Sequence, residues 1–266
     1  MSRTTAFLSA VLLTALVGAS SRAAEEPVVK AAAPPKTYVV LVGISNYADK
    51  QIKPRLHAET DVKALADVFT DKQFLGVPKD QVKLLLGSPD QQRGSEPATR
   101  DNVLKALNWV AKVAEPQDLV LFGFFGQGGP IGDTGDRTGY FVADSTFKGR
   151  TKDAIAAAEI QDALKGLKST KFCAFIDVNF KGFDAEKGVA EVSLGQTPYK
   201  EFLGDDGSED HLPLPGRMLF LATNGLSQGI DLEKHGLFAD VVLTAIQGAA
   251  DGWMTRRRNP TSRMVW

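Results

Sequence analysis

Apolar residues along this chain follow two rhythms, and the two alternate. Tyr38-Val39-Val40-Leu41-Val42 is an unbroken, largely β-branched run closed by Gly43, the pattern of a strand covered on both faces. Leu56 to Thr70 follows, with Val62, Leu65, Ala66 and Phe69 at i, i+3, i+4 and i+7, which predicts a helix with one apolar face. Gln81 to Leu86 reads as a second strand, stopped by Gly87. Thr99 is placed to cap a helix that buries Val103, Leu107 and Val110. Leu119 to Phe125 is a third strand, ending in the loop Gly126-Gln127-Gly128-Gly129-Pro130, and Gly139 to Val142 is a short extra strand. Ile160, Leu164 and Leu167 mark another helix. Lys171 to Asp177 is a fourth main strand, Arg217 to Thr223 a fifth, and Leu237 to Ile246 the last helix.

Strands separated by helices require right-handed crossovers. The expected fold class is therefore α/β, a three-layer sandwich with a mostly parallel central sheet flanked by helices. Ligands meet such sheets at the carboxyl ends of the strands, which singles out the loops Gly43 to Arg55, Gly126 to Asp136 and Asp177 to Phe183. The connection from Gly182 to Pro215 is long and acidic around Asp205-Asp206-Gly207-Ser208-Glu209-Asp210, and loops of that length are functional or disordered more often than structural.

Composition then narrows the chemistry. The chain has 266 residues, 43% hydrophobic and 24% charged, ordinary values for a globular protein. A formal charge of −1 supplies no basic field to collect phosphates, so nucleic acid is excluded as a charge-driven partner. Cys173 is the one cysteine, which leaves no intrachain disulfide and no multi-cysteine zinc site. His57, His211 and His235 are the only histidines. Gly132-Asp133-Thr134-Gly135-Asp136 holds two carboxylates but lacks the further oxygens and closing glutamate of a calcium loop, so it reads as a solvated turn. There is no phosphate loop, Gly-x-Ser-x-Gly elbow or His-Glu-x-x-His helix. No metal and no cofactor is expected.

The start of the chain reads as an address. Arg3, the apolar run Ala6 to Val17 and the small residues around Ser21 and Ala23 have the form of a cleaved secretory signal over residues 1–23. Export to a periplasm or the exterior follows, with no membrane contact after cleavage; an uncleaved membrane anchor is the alternative. Residues 24–36, with Pro27, Pro34 and Pro35, read as a linker, residues 37–250 as the folded domain and residues 251–266 as a basic tail opened by Arg256-Arg257-Arg258.

Five blocks, in order, resemble the caspase and metacaspase family. Leu41-Val42-Gly43-Ile44-Ser45-Asn46-Tyr47 is similar to its first strand and turn, and Asp61 through Phe69 to its first helix. Phe122-Gly123-Phe124-Phe125-Gly126-Gln127-Gly128-Gly129 is similar to its strand ending in Ser-Gly-His-Gly. Phe175-Ile176-Asp177-Val178-Asn179-Phe180-Lys181-Gly182 stands where the family has Asp-Ala-Cys-His-Ser-Gly, and His235-Gly236-Leu237-Phe238 looks like the turn opening its late helix. The resemblance implies a caspase-like fold and a histidine–cysteine peptidase site. Here the histidine position holds Gln127 and the cysteine position Asn179, and the histidine beside that cysteine is replaced by Phe180.

Carboxamides cannot run that chemistry. A cysteine peptidase needs a thiolate and a group that moves a proton near neutral pH, and an amide side chain does not titrate. Losing acid–base catalysis alone costs roughly 10²–10⁴-fold. Cys173 lies six residues before Asn179, up to ~20 Å along an extended strand, and reads as a small buried hydrophobe. His57 reads as a capping or surface residue, His235 as a local packing or capping residue, and Ser45 has no histidine in a recognisable partner position. The resemblance further implies that Gly128 presents a backbone N–H as half of an oxyanion hole. It also implies that Asp177 and Arg55 line the first substrate pocket and that Phe125 narrows it.

The expected function is that of a pseudo-peptidase of this family, exported, with a peptide-binding or regulatory role toward a peptide or protein ligand. A working cysteine-type endopeptidase with a non-standard site is one alternative. The other is an interaction module pairing through a sheet edge, as a homodimer.

Overall fold

The computed structural model describes residues 33–132, 137–181, 202, 216–222, 230 and 232–248. The signal, the tail, most of the linker, the acidic connection, His211 and the Asp133–Asp136 turn named above lie outside them.

Among the described residues, six parallel strands form the main sheet. Thr37–Gly43 (β1) is flanked by Val82–Leu86 (β2) and Leu119–Ile131 (β4). Glu96–Pro97 (β3) extends it beyond β2, and Lys171–Asn179 (β7) and Arg217–Leu221 (β8) extend it beyond β4. Arg137–Tyr140 (β5) pairs antiparallel with the projecting end of β4, and Ile155–Ala156 (β6) with β5. The helices described are Ala58–Thr70 (α1), Arg100–Val113 (α2), the short Arg150–Asp153 (α3), Ala157–Leu164 (α4) and Leu237–Ile246 (α5).

Alternation along the strands builds two cores. Val40, Val42, Phe122, Phe124, Ala174 and Ile176 point to one side, where α2 and α4 bring Val103, Leu107, Val110 and Ile160. Val39, Leu41, Leu121, Phe125, Cys173 and Phe175 point to the other, under α1 and α5 with Val62, Leu65, Phe69, Ala239 and Val242. Covering both faces is what a continuous apolar strand demands. Thr99 caps α2 as expected, its hydroxyl accepting from the Asn102 N–H at 3.4 Å.

One expectation is corrected. The glycine-rich stretch after Phe125 is not a loop: β4 runs on through Gly126, Gln127, Gly128, Gly129 and Pro130 to Ile131. The glycines are there for close approach. A Cβ on Gly126 would lie 2.7 Å from the Tyr47 hydroxyl, and one on Gly128 2.4 Å from the Phe180 ring. Likewise β7 continues past Asp177 to Asn179. The candidate site is therefore set on paired strands, which fixes positions more tightly than loops do.

Candidate functional site

Gln127 and Asn179 are register partners. The parallel ladder between β4 and β7 pairs Phe125 with Asp177, Gly126 with Val178 and Gln127 with Asn179. Partners on neighbouring strands stand ~4.8 Å apart with side chains on the same face, here the face covered by α1 and α5. The structure thus joins the two residues that the motif alignment singled out, from strands 52 positions apart in their pairing register.

Both are buried, Gln127 at 2% exposure and Asn179 at 6%, and each carboxamide is oriented by backbone. Gln127 Nε2 donates to the Lys53 carbonyl at 3.0 Å, and its backbone N–H donates to the Tyr47 hydroxyl at 2.7 Å. Burial pushes the Tyr47 phenol far above its ordinary range, so it stays protonated. Asn179 Oδ1 accepts from the Lys181 N–H at 3.0 Å, a side-chain turn of the kind asparagine makes readily. Neither group can exchange a proton with a substrate at neutral pH.

The neighbouring pocket residues are tied to one another. Arg55 Nη2 lies 2.7 Å from Asp177 Oδ1, with both side chains buried. Arg55 is brought there by the chain between β1 and α1, its N–H bonded to the Ser45 carbonyl at 2.8 Å. Beside this pair, Asp61 at the start of α1 accepts from His235 Nδ1 at 2.8 Å and from the Gly236 N–H at 3.1 Å. Burial raises the Asp61 pKa, with the two hydrogen bonds acting against it and the Asp177 charge with it. Gly236 sits between the carboxylates: a Cβ there would be 3.1 Å from Asp61 Oδ2 and 3.6 Å from Asp177 Oδ2. Phe125 packs against Phe238 of α5, ring centres 6.0 Å apart.

Gly128 is buried beneath Phe180, whose ring also meets Tyr140 edge-on at 5.8 Å. Cys173 is buried and its thiol is pushed up to about 11 by desolvation, the opposite of what a nucleophile needs. Ser45 and Glu59 bond reciprocally: Ser45 Oγ accepts from the Glu59 N–H at 3.1 Å, and Glu59 Oε1 accepts from the Ser45 N–H at 3.2 Å. His57 occupies the N-cap of α1 without a side-chain capping bond, and its carbonyl accepts from the Asp61 N–H. Sequence reasoning missed the Tyr47 hydroxyl and the Lys53 carbonyl, because neither belongs to a motif. It named Asp61 and His235 separately, with no signal that they meet.

A cleft of about 500 Å³ opens elsewhere, between the C-terminal half of α1 and residues 79–94. Arg93 in its wall is already bonded to Asp67 and Asp90, and the cleft lies beside the amino-terminal end of β2, away from Gln127 and Asn179. It is not the site that the family resemblance indicates.

Comparison with known proteins places this arrangement. Metacaspase-1A of Aspergillus oryzae is 32% identical over 95 residues, 35% of this chain and 21% of that protein. Metacaspase-1 of Botryotinia fuckeliana is 29% identical over 99 residues, 37% of this chain and 22% of that protein. The chain thus spans about a fifth of the length of these curated relatives. Among solved structures, protein GSU0716 from Geobacter sulfurreducens superposes with a TM-score of 0.54 at 16% identity, covering 82% of this chain and 83% of that one, a likeness of fold. The caspase-domain model of peptidase family C14 matches residues 36–229, so this chain, with carboxamides at Gln127 and Asn179, belongs to the caspase family.

Proposed function

We propose that this chain is a catalytically inert member of its family that acts by binding a peptide or protein ligand at the carboxyl ends of its strands. One observation carries the reading: the two register-paired positions hold buried carboxamides whose orientation is fixed by backbone partners. A site that has lost its nucleophile and base yet keeps an ordered polar pair is suited to recognition. Cys173 supplies no substitute, since its thiol is buried, raised in pKa and remote along the strand. Equilibrium binding of a fluorescently labelled peptide panel, followed by mass analysis of the recovered peptides, tests this. Saturable binding with intact peptides is expected; absence of binding, or recovery of cleaved peptides, overturns it.

A second reading has its own observation. β8 pairs only with β7 among the described strands, and Met218, Phe220 and Leu221 on it are 54%, 44% and 37% exposed. Its sequence, Arg217-Met218-Leu219-Phe220-Leu221, carries no proline or lysine of the kind that protects sheet edges. Association of two copies through this edge follows from that reading, and dissociation constants from sedimentation measure it directly.

A further inference from the structure

Buried polar atoms are almost always hydrogen-bonded, so the exceptions call for a cause. Gln127 Oε1 is one: it is buried and has no partner. Its amide orientation is not arbitrary, because Nε2 must face the Lys53 carbonyl it donates to, which leaves the oxygen as the open atom. The same logic applies next door. Asn179 Oδ1 is the acceptor of the Lys181 N–H, which leaves the Nδ2 donors as the open atoms of that side chain. The two residues are register partners on one face, so the side chain with the unpartnered acceptor and the side chain with the free donors spring from backbones one interstrand spacing apart, ~4.8 Å.

The group complementary to an acceptor beside a donor is one that offers a donor beside an acceptor. A primary carboxamide does so on a single edge: its N–H points to Gln127 Oε1 while its carbonyl accepts from Asn179 Nδ2. A carboxylate has no donor for Gln127, a guanidinium or ammonium has no acceptor for Asn179, and a trans peptide bond presents its N–H and C=O on opposite sides. We propose that Gln127 and Asn179 form a carboxamide-reading site, selective for a glutamine or asparagine side chain of a bound peptide. The proposal rests on the binding role argued above and names the ligand chemistry of that same site. Selectivity comes from the mismatch: a ligand without a donor leaves the buried Gln127 Oε1 unsatisfied, the situation in which discrimination between near-isosteres is strongest.

The probes are acetyl-glutamine methylamide, acetyl-glutamate methylamide and acetyl-methionine methylamide, titrated into the full chain. Side-chain NH₂ resonances in ¹H–¹⁵N spectra, assigned with Asn179→Asp and Gln127→Glu, are the readout. The glutamine probe is expected to shift the Asn179 and Gln127 amide signals and to bind at least tenfold more tightly than the other two. Asn179→Asp keeps the oxygen that accepts from Lys181 and replaces the donor by an acceptor. It is expected to lose the glutamine preference and gain one for acetyl-arginine methylamide. Equal affinity for glutamine and glutamate probes, or binding that leaves both amide signals unmoved, overturns the carboxamide inference while the binding role stands. If none of the probes binds and the labelled peptide panel is also silent, both fall; if only the panel binds, the carboxamide inference alone falls.

Discussion

The seam between β4 and β7 and the edge at β8 break the usual rule of burial in opposite directions. At the seam, Gln127, Asn179, Asp177, Arg55 and Asp61 are all at most 6% exposed, although charged and amide groups are rarely buried unless paired. At the edge, Met218, Phe220 and Leu221 stand open to solvent. The seam retains its charges because Arg55 and Asp177 pair, and its carboxamides because a backbone group holds one atom of each. The edge retains apolar groups where a polar surface would be more soluble, the pattern on which the proposed contact rests. In the reading proposed above, recognition of small ligand groups falls to the first region and association of whole domains to the second.

The sharpest way to break this contrast is to unpair the seam. Arg55→Ala removes the guanidinium that faces the Asp177 carboxylate in the interior and is expected to cost about 3–5 kcal/mol in chemical denaturation. The joint replacement Arg55→Met with Asp177→Leu is expected to recover most of that loss. A single-variant cost under about 1 kcal/mol would show the pair to be solvated in solution, as surface pairs are. Next in size is Gly128→Ala, whose new methyl meets the Phe180 ring and the Gly139 carbonyl. Overpacking of this kind costs about 1–3 kcal/mol, measurable as a lowered denaturation midpoint.

A pH titration sharpens the account of Asp61. Its folded pKa is raised above the ordinary value of 3.8, chiefly by burial, so its protonated form is the one that the fold favours. That contribution to stability is fully present below 3.8 and is lost as pH rises through the higher folded value. The stability difference between wild type and Asp61→Asn is therefore expected to move against wild type as pH rises from acid toward neutral. A difference that is flat, or that grows in favour of wild type, would contradict the burial argument.

The smallest effect is expected at the edge. Met218→Lys changes an exposed side chain, so monomer stability should move by no more than about 0.5 kcal/mol. Self-association measured by sedimentation should nevertheless weaken severalfold. If stability falls by more than that while association is unchanged, β8 is a covered strand rather than a contact surface.

Much of this was legible before any coordinates. The alternating periods of β1, α1, α2 and α5 state their own geometry, and the spacing of the family-like blocks located Gln127 and Asn179. What stayed illegible has physical reasons. Glycine and proline ordinarily end strands, so nothing in Gly126-Gln127-Gly128-Gly129-Pro130 announces that β4 continues, with its glycines making room for Tyr47 and Phe180. Arg55 meets Asp177 across 122 residues and Asp61 meets His235 across 174. No local pattern encodes such pairs, since they exist only once the sheet brings β1, β7 and α5 together. The open atoms of the two carboxamides were equally hidden, because they depend on which backbone groups claim the others.

The most direct test of inertness is turnover itself. Purified full-length protein, assayed against fluorogenic peptides with acidic, basic and neutral first-pocket residues, is expected to show none above buffer, with Gln127→Ala and Asn179→Ala indistinguishable from wild type. Hydrolysis by the wild type that disappears in either alanine variant would contradict the account.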